Sequence, residues 1–220
     1  PDQGIYMSDI YEKFTHAGLN VEIFHDHNAE SPNEWHDEEV FLVGFHEREF
    51  WVQRKGFDLK TVKAALFNKG RNEDDEIDPD AREIMKKYHI IPLEAYIHSG
   101  VVLFISGGCG VDRQWDVSQV GAVFVSKQNT RFKKVALERA KDLIETWNQY
   151  LGNDIYRFMV KDDDGEVLDS CSGLYGSKEV ICEAKSAAEY CAKAKREKRQ
   201  AQLKTWIKHR VPLEKRVFNN

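Results

Sequence analysis

Nowhere in the 220 residues is there a run of about 18 apolar side chains, the length a membrane helix needs, and no basic segment followed by an apolar one opens the chain. A soluble, cytoplasmic protein is therefore expected, with no membrane partner. Cysteine is scarce as well. Cys109, Cys171, Cys182 and Cys191 show neither the C-x2-C nor the C-x3-C spacing of a zinc or redox site, so they read as free thiols in a reducing compartment. No phosphate-cradling G-x-x-x-x-G-K-[ST] loop, dinucleotide G-x-G-x-x-G, H-E-x-x-H or G-x-S-x-G is present, which removes the strongly marked enzyme classes, and no cofactor is expected. KDDDGE has the flavour of a calcium loop but lacks the spaced ligands and the closing glutamate, so a hairpin turn is expected there. Internal repeats and low-complexity linkers are absent too.

What the chain does have is ordinary core material: 41% of its residues are hydrophobic and 11% aromatic, enough for a packed globule. VFLVGF (40–45) and VGAVFVSK (120–127) are apolar on both faces, the pattern of strands buried inside a sheet. Val21–His25 reads as a further strand, PLEAYIHSG and VVLFISGG as strands flanking Ser99-Gly100, and IYRFMVKDDDGEVLDSC as a hairpin around Asp164-Gly165. DLKTVKAALFNKG reads as a short helix capped by Asp58 and stopped at Gly70, and Pro79 opens another through Met85 and Tyr88. KKVALERAKDLIETWNQYL carries Ala136, Ala140, Leu143, Ile144, Trp147 and Leu151 on one stripe and should pack on the sheet.

From Ser177 a long helix is expected to about His209, just short of Pro212. Its first half has a stripe of Val180, Ala184, Ala187, Cys191 and Ala194; its last apolar group, Leu203, Trp206 and Ile207, is displaced around the axis by roughly 100°. Such a helix either kinks or offers the second patch to another chain, and exposed tryptophan beside leucine and isoleucine favours the contact, with a protein partner or with a second copy. Strands broken by helices, with hairpins in place of regular βαβ alternation, predict an α+β fold: a mostly antiparallel sheet packed by helices, with residues 1–176 as the body and 177–220 as a basic C-terminal helix and tail.

The net charge of −5 hides an asymmetry. Between Lys193 and Arg216 ten basic residues face two acids, so this segment carries +8 and the rest of the chain −13. Lys195, Arg196, Lys198, Arg199 and Lys204 are candidate phosphate contacts, whereas an acidic body repels nucleic acid and suits a basic partner surface. Candidate chemistry is sparser. His98, Asp116 and Gln119 stand at strand ends near Ser99 and Ser118, the raw material of acid-base work if the sheet gathers them, with Asp154, Tyr156, Asp169, Ser170 and Cys171 at the ends of the later hairpin. The plainer reading makes Asp116 and Ser118 turn residues and His98 a hydrogen-bonded residue of the fold. His25 and His27 flank Asp26 at the i, i+2 spacing that shares a strand face, but two side chains do not make a ligand set, and no metal site is assigned.

The stretches ESPNEWHDEEVFLVGFHE, PLEAYIHSGV, RQWDVSQVGAVFVSK, WNQYLGNDIYRFMVKDDDGEVLDSC and GLYG resemble an uncharacterised protein family of bacteriophages and other mobile elements. The likeness covers roughly residues 30 to 176 and rests on His-Ser-Gly at a strand end, a Trp-Asp-Ser-x-Gln-Val-Gly turn and a tyrosine-rich hairpin; it departs at Val117, Ser118 and Ser172. No activity attaches to the family. The resemblance and the charge pattern together lead to the expectation of a non-catalytic, phage-type accessory or inhibitory protein that binds a nucleoprotein of the host, such as a defence complex. Nucleic-acid binding by the basic helix, or a small enzyme at His98, Asp116 and Gln119, are the alternatives.

Overall fold

A computed structural model of the chain describes residues 10–35, 38–46, 48, 50–72, 75–106 and 117–210. The fold is α+β, with two antiparallel sheets and four α-helices among the described residues. The chain divides into two compact units, Pro1–Ala29 with Ile155–Asn220, and Glu30–Asp154. This departs from the expected body of 1–176 with an appended helix. The first unit is discontinuous because its two central strands pair with each other although the whole of the second unit lies between them in sequence.

Unit 1 holds a four-stranded sheet in the order β1-β2-β8-β9: β1 (Ile10–His16), β2 (Leu19–His25), β8 (Ile155–Lys161) and β9 (Val167–Tyr175). Period-2 alternation separates its faces. Val21 lies opposite Val160 and Ile23 opposite Phe158, and these side chains form a core with Val180, Ala184, Ala188 and Ala192 of α4 (Ser177–Arg210). The alternate residue Glu22 turns to the other face, where its carboxylate binds Lys13 at 2.7 Å and Lys161 at 2.5 Å. Those two ammonium hydrogen bonds, Lys13 first, hold the Glu22 carboxyl below the usual carboxylate range.

Unit 2 is built on a five-stranded sheet, β4-β3-β7-β5-β6, from β3 (Val40–His46), β4 (Phe50–Val52), β5 (Tyr88–Ile97), β6 (Val101–Ile105) and β7 (Val117–Ser126). Both of its faces are covered. Leu42, Leu93, Val123 and Val125 pack against Ala136, Ala140, Ile144 and Trp147 of α3 (Lys133–Leu151), the stripe read from the sequence. On the opposite face Phe41, Val43, Ala122 and Phe124 meet Val62 and Ala65 of α1 (Leu59–Phe67) and Ala81 and Ile84 of α2 (Pro79–Lys87). Hence the runs 40–45 and 120–127 are apolar on both faces: they are neighbours in the middle of a sheet clad on two sides.

Asp58 caps α1 as read from the sequence, and Asp78 caps α2 in the same way. Asp58 accepts the N–H groups of Lys60 and Thr61 at 3.0 and 3.1 Å, and Asp78 accepts that of Ala81 at 2.9 Å ahead of Pro79. Gly121 is opposite Gly44 beside a bulge in the β5–β7 ladder, and a Cβ there would fall inside van der Waals contact of the Val43 carbonyl oxygen, so the position admits only glycine. At the far edge of the sheet, the Asn148 amide reaches from α3 to β6, accepting Leu103 N–H at 2.7 Å and donating to Leu103 C=O at 2.9 Å. A side chain thus occupies both hydrogen-bonding groups that an added strand would use at that residue.

Candidate functional site

The strand-end constellation is not gathered. His98 and Gln119 belong to unit 2, and Glu94 is the β5 partner of Gln119. His98 is four residues further along, roughly 13 Å at about 3.3 Å per residue, well beyond hydrogen-bond reach. His98 itself sits in the β5–β6 turn, its N–H donating to the Gly100 carbonyl at 3.2 Å and its ring tilted against Tyr96. Gln119 is an exposed strand residue and Ser118 pairs with Ala95; Asp116 lies outside the described residues, as does Cys109. Asp169 commits an oxygen to the Ser170 N–H at 2.8 Å, and Cys171 is an exposed free thiol on β9.

Unit 2 has several cavities of the size of a small-ligand site, two of them beside α3. One of about 620 Å³ runs between β6 and α3, with Leu103, Ile105 and Ile144 as floor and Lys141, Glu145 and Asn148 at its rim. The other, about 380 Å³, lies beside β3, with Trp35, Leu42 and Trp147 as walls and Arg54, Arg139, Glu39 and Asp142 as polar lining. Arg139 is bonded to Glu39 at 3.2 Å and the Arg54 guanidinium is stacked 3.8 Å from the centre of the Phe41 ring, so both cations are held by the fold.

In unit 1 the residues of the His25-Asp26-His27 triplet take different jobs. Asp26 is buried and accepts the N–H groups of Asn28 at 3.2 Å and Gly173 at 2.9 Å, tying the end of β2 to the bulge in β9. His25 joins Tyr11, Tyr156 and His27 in a ring cluster, with centroid separations from His25 of 5.4, 4.9 and 6.3 Å. Its Nδ1 is buried without a hydrogen-bond partner. No group of three or more metal-ligating side chains occurs among the described residues. The KDDDGE loop is a hairpin turn: Asp162 accepts the N–H groups of Asp164 and Glu166 at 3.0 and 3.1 Å.

The feature left over is the second half of α4. The helix is continuous from Ser177 to Arg210, and Ala192 is its last buried residue. From Lys193 to Arg210 it runs on for about 27 Å at about 1.5 Å per residue. Leu203 is 49% and Trp206 55% exposed, and Ile207 is half-buried. The seat on the sheet also differs from the expected stripe: the buried positions are Val180, Ala184, Ala188 and Ala192, with Ala187 and Cys191 beside them and Ala194 exposed. Steps of four drift about 40° each, so the stripe winds round the axis and arrives at Ala192 facing the side on which Leu203, Trp206 and Ile207 also lie, within about 60° of it. Burial raises the Cys191 thiol pKa at this seat, with the Asp169 carboxylate adding to it.

Two polar ties join α4 to the turns of its sheet. His16 at the β1–β2 turn lies 2.9 Å from Glu189, and Lys195 donates to Asp162 at 3.2 Å, a bond that lowers the Asp162 pKa. Lys195, one of the five candidate phosphate contacts, is therefore engaged with the β8–β9 turn. The other four do not form one row. Measured from Ala192, Arg196 and Arg199 lie within about 40°, whereas Lys198 and Lys204 lie about 120° to either side.

No protein-family model, no curated protein and no solved structure matches the chain. Among the described residues no helix is long and apolar enough to cross a membrane.

Proposed function

We propose that the protein is a non-catalytic binding protein that displays the distal half of α4 as its contact surface and acts as an accessory or inhibitory factor on a nucleoprotein in the cytoplasm of a host cell. One observation carries this reading: α4 continues past the end of its own sheet, from Lys193 to Arg210, and takes Leu203 and Trp206 with it, about half exposed. A helix without tertiary cover has little reason to keep tryptophan, leucine and isoleucine together unless something else covers them. The nucleoprotein part of the reading rests on charge, because a chain at −13 outside the Lys193–Arg216 segment suits the basic channel in which such a complex holds its nucleic acid. The resemblance to phage and mobile-element proteins points the same way. A photo-crosslinking residue placed at position 203 of the full chain tests it. The expected result is a discrete adduct whose partner carries nuclease-sensitive nucleic acid, absent when the same group stands at Thr205; equal labelling from both positions, or none, sinks the reading.

Direct nucleic-acid binding is supported by a separate observation, the exposure of Lys198 and Lys204 away from the body side of the helix. It requires a gel shift that weakens steeply with salt and disappears in a Lys198→Glu, Lys204→Glu variant. An enzyme at His98, Asp116 and Gln119 has no such support, given the separation of His98 from Gln119 along the sheet.

A further inference from the structure

Resting on the reading of α4 as a contact helix, the partner's chemistry is written in how its two sides differ. Between Lys193 and Arg210 there are eight lysines and arginines and one acid, Glu197. At about 100° per residue, with Ala192 as zero, Arg210 falls at 0°, Arg199 at −20°, Leu203 at 20°, Arg196 and Trp206 at 40° to either side, and Ile207 at 60°. The lysines are elsewhere: Lys193, Lys198, Lys204 and Lys208 all stand about 100° or more away. The exception, Lys195 at about −60°, is the lysine that binds Asp162. All three arginines of the segment thus share a sector with all three large apolar side chains, and the lysines lie outside it.

That sorting is not what a polyanion selects. Phosphates are met as well by lysine as by arginine and offer no dry pocket for indole, leucine and isoleucine, so a helix serving a nucleic-acid backbone gains nothing by segregating the two cations. A protein groove does select it. Aromatic and arginine side chains are enriched at protein contacts where lysine is depleted, a guanidinium takes a carboxylate through two parallel hydrogen bonds, and a strongly hydrated ammonium is best left in solvent. We propose that the distal half of α4 binds as a helix in a protein groove with an apolar floor and a carboxylate rim, Leu203, Trp206 and Ile207 entering the floor while Arg196, Arg199 and Arg210 pair with the rim.

The test uses the full chain and two probes at physiological salt: calcium-loaded calmodulin, whose methionine-lined acidic groove has this chemistry, and a DNA duplex of about 20 base pairs, which presents phosphate without an apolar groove. Binding is read by calorimetry. The groove should bind, Trp206→Ala should weaken it by about 30-fold or more, and reversal of Arg196, Arg199 and Arg210 to glutamate should abolish it. Reversal of Lys198, Lys204 and Lys208 should change it less than about 3-fold, a contrast that loss of folding cannot imitate because both triple variants carry the same charge change. No binding to the groove, equal loss in the two triple variants, or binding to the duplex that depends on the lysines overturns the proposal. If the groove fails while the adduct at position 203 still forms, only the carboxylate-rimmed partner is lost; if both fail, the contact-helix reading goes with it.

Discussion

The two units solve the burial of a sheet in different ways. Unit 2 clads its five strands on both faces, α3 on one side and α1 with α2 on the other, and even plugs the β6 edge with the Asn148 amide. In unit 1, only the part of α4 from Ser177 to Ala192 seats on the core of the four-stranded sheet, and the opposite face has the Lys13–Glu22–Lys161 ion pairs. The difference shows that α4 is longer than its sheet requires. A helix needs about 16 residues to cross strands of seven residues, each about 23 Å long, and α4 has 34.

The sharpest way to break unit 2 alone is Gly121→Ala. The added methyl meets the Val43 carbonyl oxygen in the middle of the sheet, where neither strand can yield, and a loss of about 3 kcal/mol or more is expected in urea denaturation, with hydrogen exchange accelerating first in β3 and β7. The corresponding attack on unit 1 is Ala188→Leu, which overfills the fully buried seat between α4 and the sheet at a cost of about 2.5 kcal/mol, with exchange rising first in β2 and β8. Asn148→Ala should cost about 2 kcal/mol, because it strips both partners from Leu103 at the sheet edge, and should make the protein more prone to self-association through β6.

Glu22→Gln should cost less, about 1 kcal/mol at neutral pH, since Lys13 is largely solvent-screened. Its pH dependence is the better test. The folded-state pKa of Glu22 is lowered, so the unfolded chain binds more protons there, the stabilisation is complete above the ordinary glutamate value near about 4.3, and it is lost as the pH falls through the lowered folded value. The variant's stability profile should therefore be flatter than that of the parent across this acid range. Smallest of all is Trp206→Ala, expected to stay within about 0.5 kcal/mol of the parent in urea, because that side chain is more than half exposed. A loss of about 2 kcal/mol there would show that the distal helix is part of the fold, and the contrast between the two units would dissolve.

Much of this fold can be read along the chain because its signals are local. The caps at Asp58 and Asp78, the α3 stripe, the doubly apolar β3 and β7 and the Asp164-Gly165 turn all depend on residues within a few positions of one another. Two strands escape such reading. β1 is nearly all exposed, and β4 has only three residues, so neither carries an alternation long enough to detect. The candidate site is legible in the same uneven way. Composition picks out Leu203, Trp206 and Ile207, but Lys195 looks like its basic neighbours until the β8–β9 turn brings Asp162 to it. Asp26 looks like the centre of a ligand pair until the bulge at Gly173 claims its carboxylate.

The sequence by itself determined where every α-helix and most strands form, that pairing is antiparallel and helix-clad, and that positive charge and large apolar side chains coincide near the end of the last helix. Tertiary structure alone decided that β2 pairs with β8, and hence that residues 30–154 form a unit inserted in the sequence of another. It also decided that the sheet stops under Ala192. Pairing between strands so distant along the chain leaves no periodic trace in either of them. Whether a given apolar residue of α4 is buried or exposed follows from how far those paired strands reach beneath the helix, which no pattern within the helix encodes.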